Sequence, residues 1–337
     1  MQFIRAEIKK RGPQPFAWFM EQALYHPAYG YYSSGRAAIG RCGDYFTNVS
    51  VGPVFGELLA IQFAEIWERI GKIDNFAIVE QGAHHGEFAR DVLESLQRRF
   101  PEFFSALRYQ IVEPFSALQD RQSETLKEFG DRVQWRKSLD ELEPFVGVHF
   151  SNELLDAMPI NLRGKLVGVD GDKLVFVEGA TGAPVNQPML DWIDCLSTKL
   201  RRGFILAIDY GFSRAEFREV LQVRAKHRRL DSPFEEIGEA DITAHVNWTD
   251  LAERAEANGL RVAGFTDQHH FLTGIISESP ALFEKAEKKI KRELQTLLHP
   301  EMLGRSFQVL ALTKDVDLSA PLSGFKFARN GREALGL

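Results

Sequence analysis

The chain has 337 residues with a formal charge of −6, 44% hydrophobic residues and 26 phenylalanines, the composition of a globular protein with a large core. The acidic balance argues against a nucleic-acid surface, because the basic runs at Lys9–Arg11 and Arg224–Arg229 are short and read as solvated faces. Two cysteines exclude a disulfide framework; with no run of about 18 apolar residues and no leader pattern, the expectation is a cytoplasmic protein that inserts in no membrane.

Residues 1–29 read as helical, with Phe16, Phe19, Met20, Ala23 and Leu24 on one apolar face between Pro15 and Pro27. Tyr29–Thr47 is too rich in glycine and polar residues for a regular element. Its aromatic residues (Tyr29, Tyr31, Tyr32, Tyr45, Phe46) argue for a lid or binding loop. An amphipathic helix follows over Phe55–Ile70 and stops at Gly71. Residues 1–71 are thus expected to cap a site, and residues 72–215 to form the main domain.

That domain opens on an apolar strand, Phe76–Glu80, a turn from Gly82 to Gly86, and a helix over 87–99 with Phe88, Val92 and Leu96 on one face. Strand 108–113 leads into helix 115–129, a short strand lies near Val133–Trp135, strand 146–151 leads into a helix at 153–157, and Phe204–Asp209 is the next core strand. This alternation predicts an α/β fold: a Rossmann-like, doubly wound, mostly parallel sheet with helices on both faces. Glycine turns mark a β-hairpin insertion at about 160–186. Residues 213–245 read as charged and irregular. A substrate-side region over 216–315 then holds helix Asp250–Asn258, strand Leu260–Phe265, the lysine-rich helix Ala281–Leu298 and strand Phe307–Thr313, before a polar tail at 316–337.

Doubly wound sheets bind ligands at the carboxyl ends of their strands. Gly82 and Gly86 would let the backbone approach a ligand there, with helix amides pointing at it. The spacing E-x-G-x-x-x-G is looser than a dinucleotide fingerprint and lacks the lysine of a phosphate loop, so it reads either as a cofactor turn or as an ordinary tight turn. Glu113 ends the second strand, where a carboxylate can accept ribose hydroxyls. Asn152, Glu153 and Asp156 follow the fourth strand, and Asp209 ends the fifth. Acids at so many strand ends on one edge indicate a ligand site. The pairs His84–His85 and His269–His270 are adjacent, whereas chelating helices space ligands by three or four, so no metal is expected. Cys42 has no paired base and reads as a small packed residue.

Eight stretches carry a resemblance: GPQPFAWFMEQALYHPAYGYY (12–32), GDYFT (43–47), FGELLA (55–60), VEQGAHHGEFARDVL (79–93), IVEPFSALQDRQ (111–122), SNELLDAMPI (151–160), IDYG (208–211) and ADITAHVNWTDL (240–251). In this order the set resembles the MidA-like class I S-adenosylmethionine-dependent methyltransferases, which include the mitochondrial complex I assembly methyltransferases. The resemblance implies S-adenosylmethionine as cofactor. Glu80, Gly82, His84 and Gly86 would form its turn, Glu113 would hold the ribose, Ser138 and Leu139 would line the adenine pocket, and Thr47 and Asn152 would lie beside it. It also implies that Asn152, Glu153, Asp156 and Asp44 are the catalytic positions, that His227 and His245 brace a substrate loop, and that the partner is a protein. In the family that protein is a respiratory complex I subunit methylated on an arginine. A guanidinium is planar and always protonated, and is best gripped by carboxylates accepting paired N–H bonds.

Two departures stand out. The family turn is E-x-G-x-G-x-G, and His84 replaces its middle glycine, with Glu87 placed to compete for the helix amides. The family stretch T-x-P-E reads here Thr47-Asn48-Val49-Ser50. Two outcomes stay open: His84 turns outward and meets the cofactor carboxylate as a cation, or the turn is impaired and the chain is a non-catalytic binding or assembly protein. A nicotinamide-dependent oxidoreductase would share the fold logic but lacks its glycine fingerprint.

Overall fold

The apolar run Phe76–Gln81 folds as strand β1, five of its six residues buried. A strand apolar on both faces belongs in the middle of a covered sheet. In the computed structural model β1 lies between β2 (Leu107–Val112) and β4 (Phe145–Asn152). With β3 (Val133–Arg136), β5 (Leu200–Phe212), β6 (Arg261–Asp267) and β7 (Phe307–Lys314), the order is β6-β7-β5-β4-β1-β2-β3. Strands β3, β2, β1, β4 and β5 are parallel. Strand β7 is antiparallel to both β5 and β6. The chain winds outward from β1 through β3, then returns to the other side of β1 as β4. The crevice of a doubly wound sheet opens at such a reversal, at the carboxyl ends of β1 and β4.

The structure describes residues 2–33, 47–179, 185–218, 220–226, 228–278, 280 and 287–337. Two units can be distinguished. The larger comprises Thr47–Leu154, Ile193–Phe217 and Val246–Leu337, and the smaller Met1–Phe46, Leu155–Trp192 and Arg218–His245.

In the larger unit, helix α1 (Asn48–Val51) precedes α2 (Val54–Ile70), which ends at Gly71 in the left-handed region with φ +99°. Helix α3 (Glu87–Arg99) follows β1. Its Phe88 stacks on Phe150 of β4 with centroids 4.5 Å apart, and Phe63 of α2 meets Phe150 edge-on at 5.7 Å. Burying such a ring stabilises by about 1.5–3 kcal/mol, so these contacts fix α2 and α3 on the sheet. Helix α4 (Ser116–Thr125) follows β2. Helix Gln268–Glu278 was not anticipated, nor was helix Gln187–Lys199, of which only Ile193–Lys199 belongs to this unit. The lysine-rich helix is described over Lys288–Leu298, and 281–286 lie outside the described residues. Residues 316–337, expected as a polar tail, bury Val316, Leu322, Phe325 and Leu335. Among the described residues no helix is long and apolar enough to cross a membrane.

The smaller unit holds helices Gln2–Arg11 and Phe16–Tyr25, and the second buries the apolar face expected of it. The expected hairpin forms from Lys165–Asp170 and Lys173–Glu178, with Gln14–Pro15 as a third strand. Residues 213–245 are corrected from irregular: Leu221–Ala225, Arg228–Arg229 and Asp241–Ala244 form an antiparallel sheet. Val223, Ala225, Ile242 and Ala244 point to the core there, an alternation partly hidden by surrounding arginines. The expected helix at 153–157 is also corrected. Glu153 has φ +53°, which cannot start a right-handed helix, and only turns and bends follow it.

Candidate active site

Strand β1 delivers the chain into the turn at Gly82, which is exposed. Gly82, His84 and Gly86 all take left-handed backbone, with φ of +83°, +46° and +87°. His84 therefore follows the path a glycine would take, at a cost of about 1–2 kcal/mol for its Cβ. The Gly86 N–H donates to the Ala83 carbonyl at 2.7 Å and closes the turn. The His84 ring lies on that of His85, centroids 3.6 Å apart. Glu87 carboxylate oxygens lie 4.0 and 3.8 Å from the Nδ1 atoms of His84 and His85.

These three residues place ligand atoms within 4.8 Å of one another, spacing a metal could use. The Arg121 Nη1, however, is 2.8 Å from His85 Nε2. A guanidinium only donates, so Nε2 accepts and the ring proton sits on Nδ1, facing Glu87. That leaves Nδ1 no electron pair for a cation, and the group is a charge cluster in which Arg121 bonds His85 and Glu87 faces both rings without a hydrogen bond. Burial holds the His85 imidazole below its usual pKa, with Glu87 raising it and Arg121 lowering it.

Glu80 and Glu113 sit on either side of this turn in sequence and differ in role. Glu80 is buried inside the sheet, and Tyr109 of β2 donates its hydroxyl to Glu80 Oε2 at 2.7 Å. Burial pushes the Glu80 carboxyl up to about 8, against the lowering effect of the Tyr109 bond. Its geometry is that of a brace beneath the turn. Glu113, also buried, accepts the Phe115 N–H at Oε1 (3.0 Å) and the Gln122 Nε2–H at Oε2 (3.1 Å). Burial pushes its carboxyl up to about 7, although both bonds favour the ionised form. These bonds use one position on each oxygen, and a carboxylate can accept about four in all. A vicinal diol would supply the two missing donors, so Glu113 fits a ribose. Ser138 and Leu139 are half-buried just beyond β3, where Leu139–Glu141 forms a short 3-10 turn.

At the end of β4 a polar chain runs in one direction. Asn48 Nδ2 donates to Asn152 Oδ1 at 3.0 Å, and Asn152 Nδ2 donates to Glu153 Oε1 at 2.9 Å. Glu153 is held in its left-handed backbone partly by its N–H, which bonds the Ile208 carbonyl at 2.9 Å. Non-glycine residues in that region concentrate at functional sites. Asn48 is fixed by the cap of α1: Thr47 Oγ1 accepts the Ser50 N–H at 3.1 Å, and Ser50 Oγ accepts the Thr47 N–H at 2.9 Å. Ser50 thus completes the capping box that a longer side chain could also complete. Asn48 is fully buried, and its Oδ1 has no hydrogen-bond donor among the described residues. Such an atom costs about 1–3 kcal/mol unless a bound group satisfies it. A Cβ built on Gly82 would lie 4.0 Å from the Asn152 carbonyl, so the turn and this polar chain are neighbours.

Other expected residues are not in this group. Asp156 belongs to the smaller unit, where its carbonyl accepts the Ala244 N–H at 2.8 Å. Asp44, Cys42 and His227 lie outside the described residues. Asp209 is buried and accepts the Tyr210 N–H at 2.8 Å. His245 Nε2 lies 3.2 Å from Gln222 Nε2, and burial lowers its pKa. Asn48 and Gln122 were missed as site residues. Gln122 had a signal: it interrupts the buried stripe Leu118, Gln122, Leu126 at helical spacing.

A family model described as "Putative S-adenosyl-L-methionine-dependent methyltransferase" matches residues 58–166 and 183–266, more than half of the chain. The chain is 27% identical to the mitochondrial protein arginine methyltransferase NDUFAF7 homolog of Drosophila melanogaster, over 92% of this chain and 83% of that protein. It is 26% identical to mitochondrial protein arginine methyltransferase NDUFAF7 of Homo sapiens, over 99% of this chain and 87% of that one. A Burkholderia thailandensis protein crystallised with S-adenosyl-homocysteine superposes with a TM-score of 0.87 at 28% identity, covering 98% of this chain and 95% of its own. These findings bear out the fold and the resemblance. They also correct the expected cytoplasmic address, because the curated relatives are mitochondrial. Sparse cysteines report a reducing environment and do not say which compartment supplies it.

Proposed function

The chain belongs to the S-adenosyl-L-methionine-dependent methyltransferase family, and from that premise we propose that it methylates an arginine of a partner protein. The curated relatives are named for that activity. The observation that carries the reading is the polar chain Asn48–Asn152–Glu153, which ends in a carboxylate one residue beyond the Asn152 carbonyl that neighbours the Gly82 turn.

Each residue then has a task. The left-handed turn at 82–86 lets the backbone run close to the cofactor, Glu113 accepts its ribose hydroxyls, and Ser138 and Leu139 flank the base. Bound S-adenosylmethionine supplies an electrophilic methyl group on a sulfonium. Glu153 accepts paired N–H bonds from the guanidinium and fixes which nitrogen faces that methyl. Asn152, bonded to Glu153 Oε1, limits the carboxylate to one orientation. Asn48 Oδ1 offers an acceptor for a further donor of the bound groups. A carboxylate in this place also concentrates negative charge where the substrate is cationic.

The non-catalytic alternative loses its main support, because His84 keeps a glycine-like path and Glu87 faces the imidazoles. The test is incubation of the chain with methyl-labelled cofactor and partner proteins, a respiratory complex I subunit being the first to try. Methylarginine in a protein, formed about 10²–10³-fold more slowly with Glu153→Gln, is the expected result. Label confined to a small molecule, or to a residue other than arginine, would overturn the proposal.

A further inference from the structure

Gln122 spends every hydrogen-bonding group of its side chain on parts of the cofactor site. One Nε2–H goes to the His84 carbonyl at 2.8 Å and the other to Glu113 Oε2 at 3.1 Å. Its Oε1 accepts the Trp135 indole N–H at 2.9 Å. The orientation of the amide is unambiguous: an indole can only donate, and a carbonyl and a carboxylate can only accept. The residue is fully buried on α4, so no water competes for these bonds. One amide therefore joins the turn after β1, the acid after β2 and the indole on β3.

We propose that Gln122 is the positioning residue of the cofactor site, setting both the Glu113 carboxylate and the left-handed His84 peptide for a ribose-bearing ligand. This rests on the methyltransferase reading above. Held by Gln122 at Oε2 and by the Phe115 N–H at Oε1, the Glu113 carboxylate is fixed in one orientation, with a further acceptor position left on each oxygen. Recognition of a diol needs that fixity, since two hydroxyls must find two acceptors together. The bond to the His84 carbonyl does the same for the turn. It holds a non-glycine residue in a conformation that the local sequence disfavours. Gln122 does not touch the reacting atoms, and its effect passes through Glu113 and His84.

The test is calorimetric titration of the native chain, Gln122→Met and Gln122→Glu with S-adenosylhomocysteine and with its 2′-deoxy and 3′-deoxy analogues. Expected is micromolar binding by the native chain, with each deoxy analogue weaker by about tenfold or more. Gln122→Met should bind S-adenosylhomocysteine about tenfold or more weaker and lose most of that discrimination, so that the two losses are not additive. A role in folding alone would lower the unfolding midpoint and leave the discrimination intact, which would overturn the proposal. Failure of the native chain to bind S-adenosylhomocysteine at all would overturn the cofactor reading and this inference with it. Should both variants fail to fold, the native chain still decides. Its Gln122 side-chain amide protons, followed by NMR, should exchange slowly and slow further when S-adenosylhomocysteine is added, and exchange at the rate of a free amide would overturn the assignment.

Discussion

The His84 imidazole lies flat on that of His85, centroids 3.6 Å apart, while its backbone keeps a φ of +46° that is ordinarily left to glycine. The missing glycine has therefore changed the side chain of the turn and preserved its path. His84→Gly should raise stability by about 1 kcal/mol, by removing the left-handed cost. It should also leave affinity for S-adenosylhomocysteine within about tenfold of native. His84→Val, β-branched and hostile to that region, should lower both. Urea unfolding and calorimetry measure the two. A gain in affinity of a hundredfold or more in the glycine variant would show that the imidazole blocks the site.

Glu153 is the carboxylate on which the arginine reading depends, so its charge and not its shape should matter. Glu153→Gln keeps an acceptor for Asn152 and removes the anion proposed to grip the guanidinium. Methyl transfer should fall by about 10²–10³, the range seen when a positioned electrostatic group is removed, while S-adenosylhomocysteine binds as before. Labelled-methyl assays beside calorimetry separate these effects. Unchanged transfer would remove Glu153 from the mechanism.

As the proposed ribose acceptor, Glu113 should make cofactor binding depend on pH. Its carboxyl titrates near 7 in the folded chain against 4.5 ordinarily, because burial disfavours the charge. The sign follows from that direction. The folded protein holds this proton more tightly than the unfolded chain, so its contribution to stability is present below 4.5 and is lost as pH rises through about 7. In the proposed site ribose hydroxyls would donate to the ionised form, so affinity for S-adenosylhomocysteine should strengthen by up to about tenfold per unit below pH 7 and then level off. Titrations from pH 6 to 8 should show this slope in the native chain and a flat, weaker profile for Glu113→Gln. A flat native profile would contradict it.

The sheet was legible because its strands are apolar runs set between helices of clear period, and β1 is the clearest of them. The acids were legible because they end those strands. Less visible was what each acid touches: Glu80 and Glu113 look alike in sequence, yet one faces Tyr109 inside the sheet and the other faces Gln122 and an amide at its edge. Asn48 was hidden because its importance depends on Asn152, 104 positions away, and no local pattern records that distance. The helix wrongly expected at 153–157 failed for a local reason. Glu153, Leu154, Leu155 and Ala157 are good helix formers, but Glu153, its N–H bonded to the Ile208 carbonyl, takes left-handed backbone and turns the chain elsewhere.

Tyr109 donates to a carboxyl that burial has already raised to about 8, so Tyr109→Phe removes the bond that favours the Glu80 anion. The Glu80 carboxyl should then rise further, and the cost of the substitution should grow with pH. Because the folded value exceeds the unfolded 4.5, the contribution of Glu80 to stability is full below 4.5 and disappears as pH climbs through about 8. In the variant the decline should continue past that point. Urea unfolding should give a loss of about 1–3 kcal/mol at pH 8.5, the cost of a buried polar group left without its partner, and a smaller loss at pH 6. Adding Glu80→Gln should recover most of it at high pH, since a neutral amide carries no charge to be stabilised. An equal loss at both pH values, or no recovery in the double variant, would mean that Tyr109 acts through packing and that Glu80 is neutral in the native sheet.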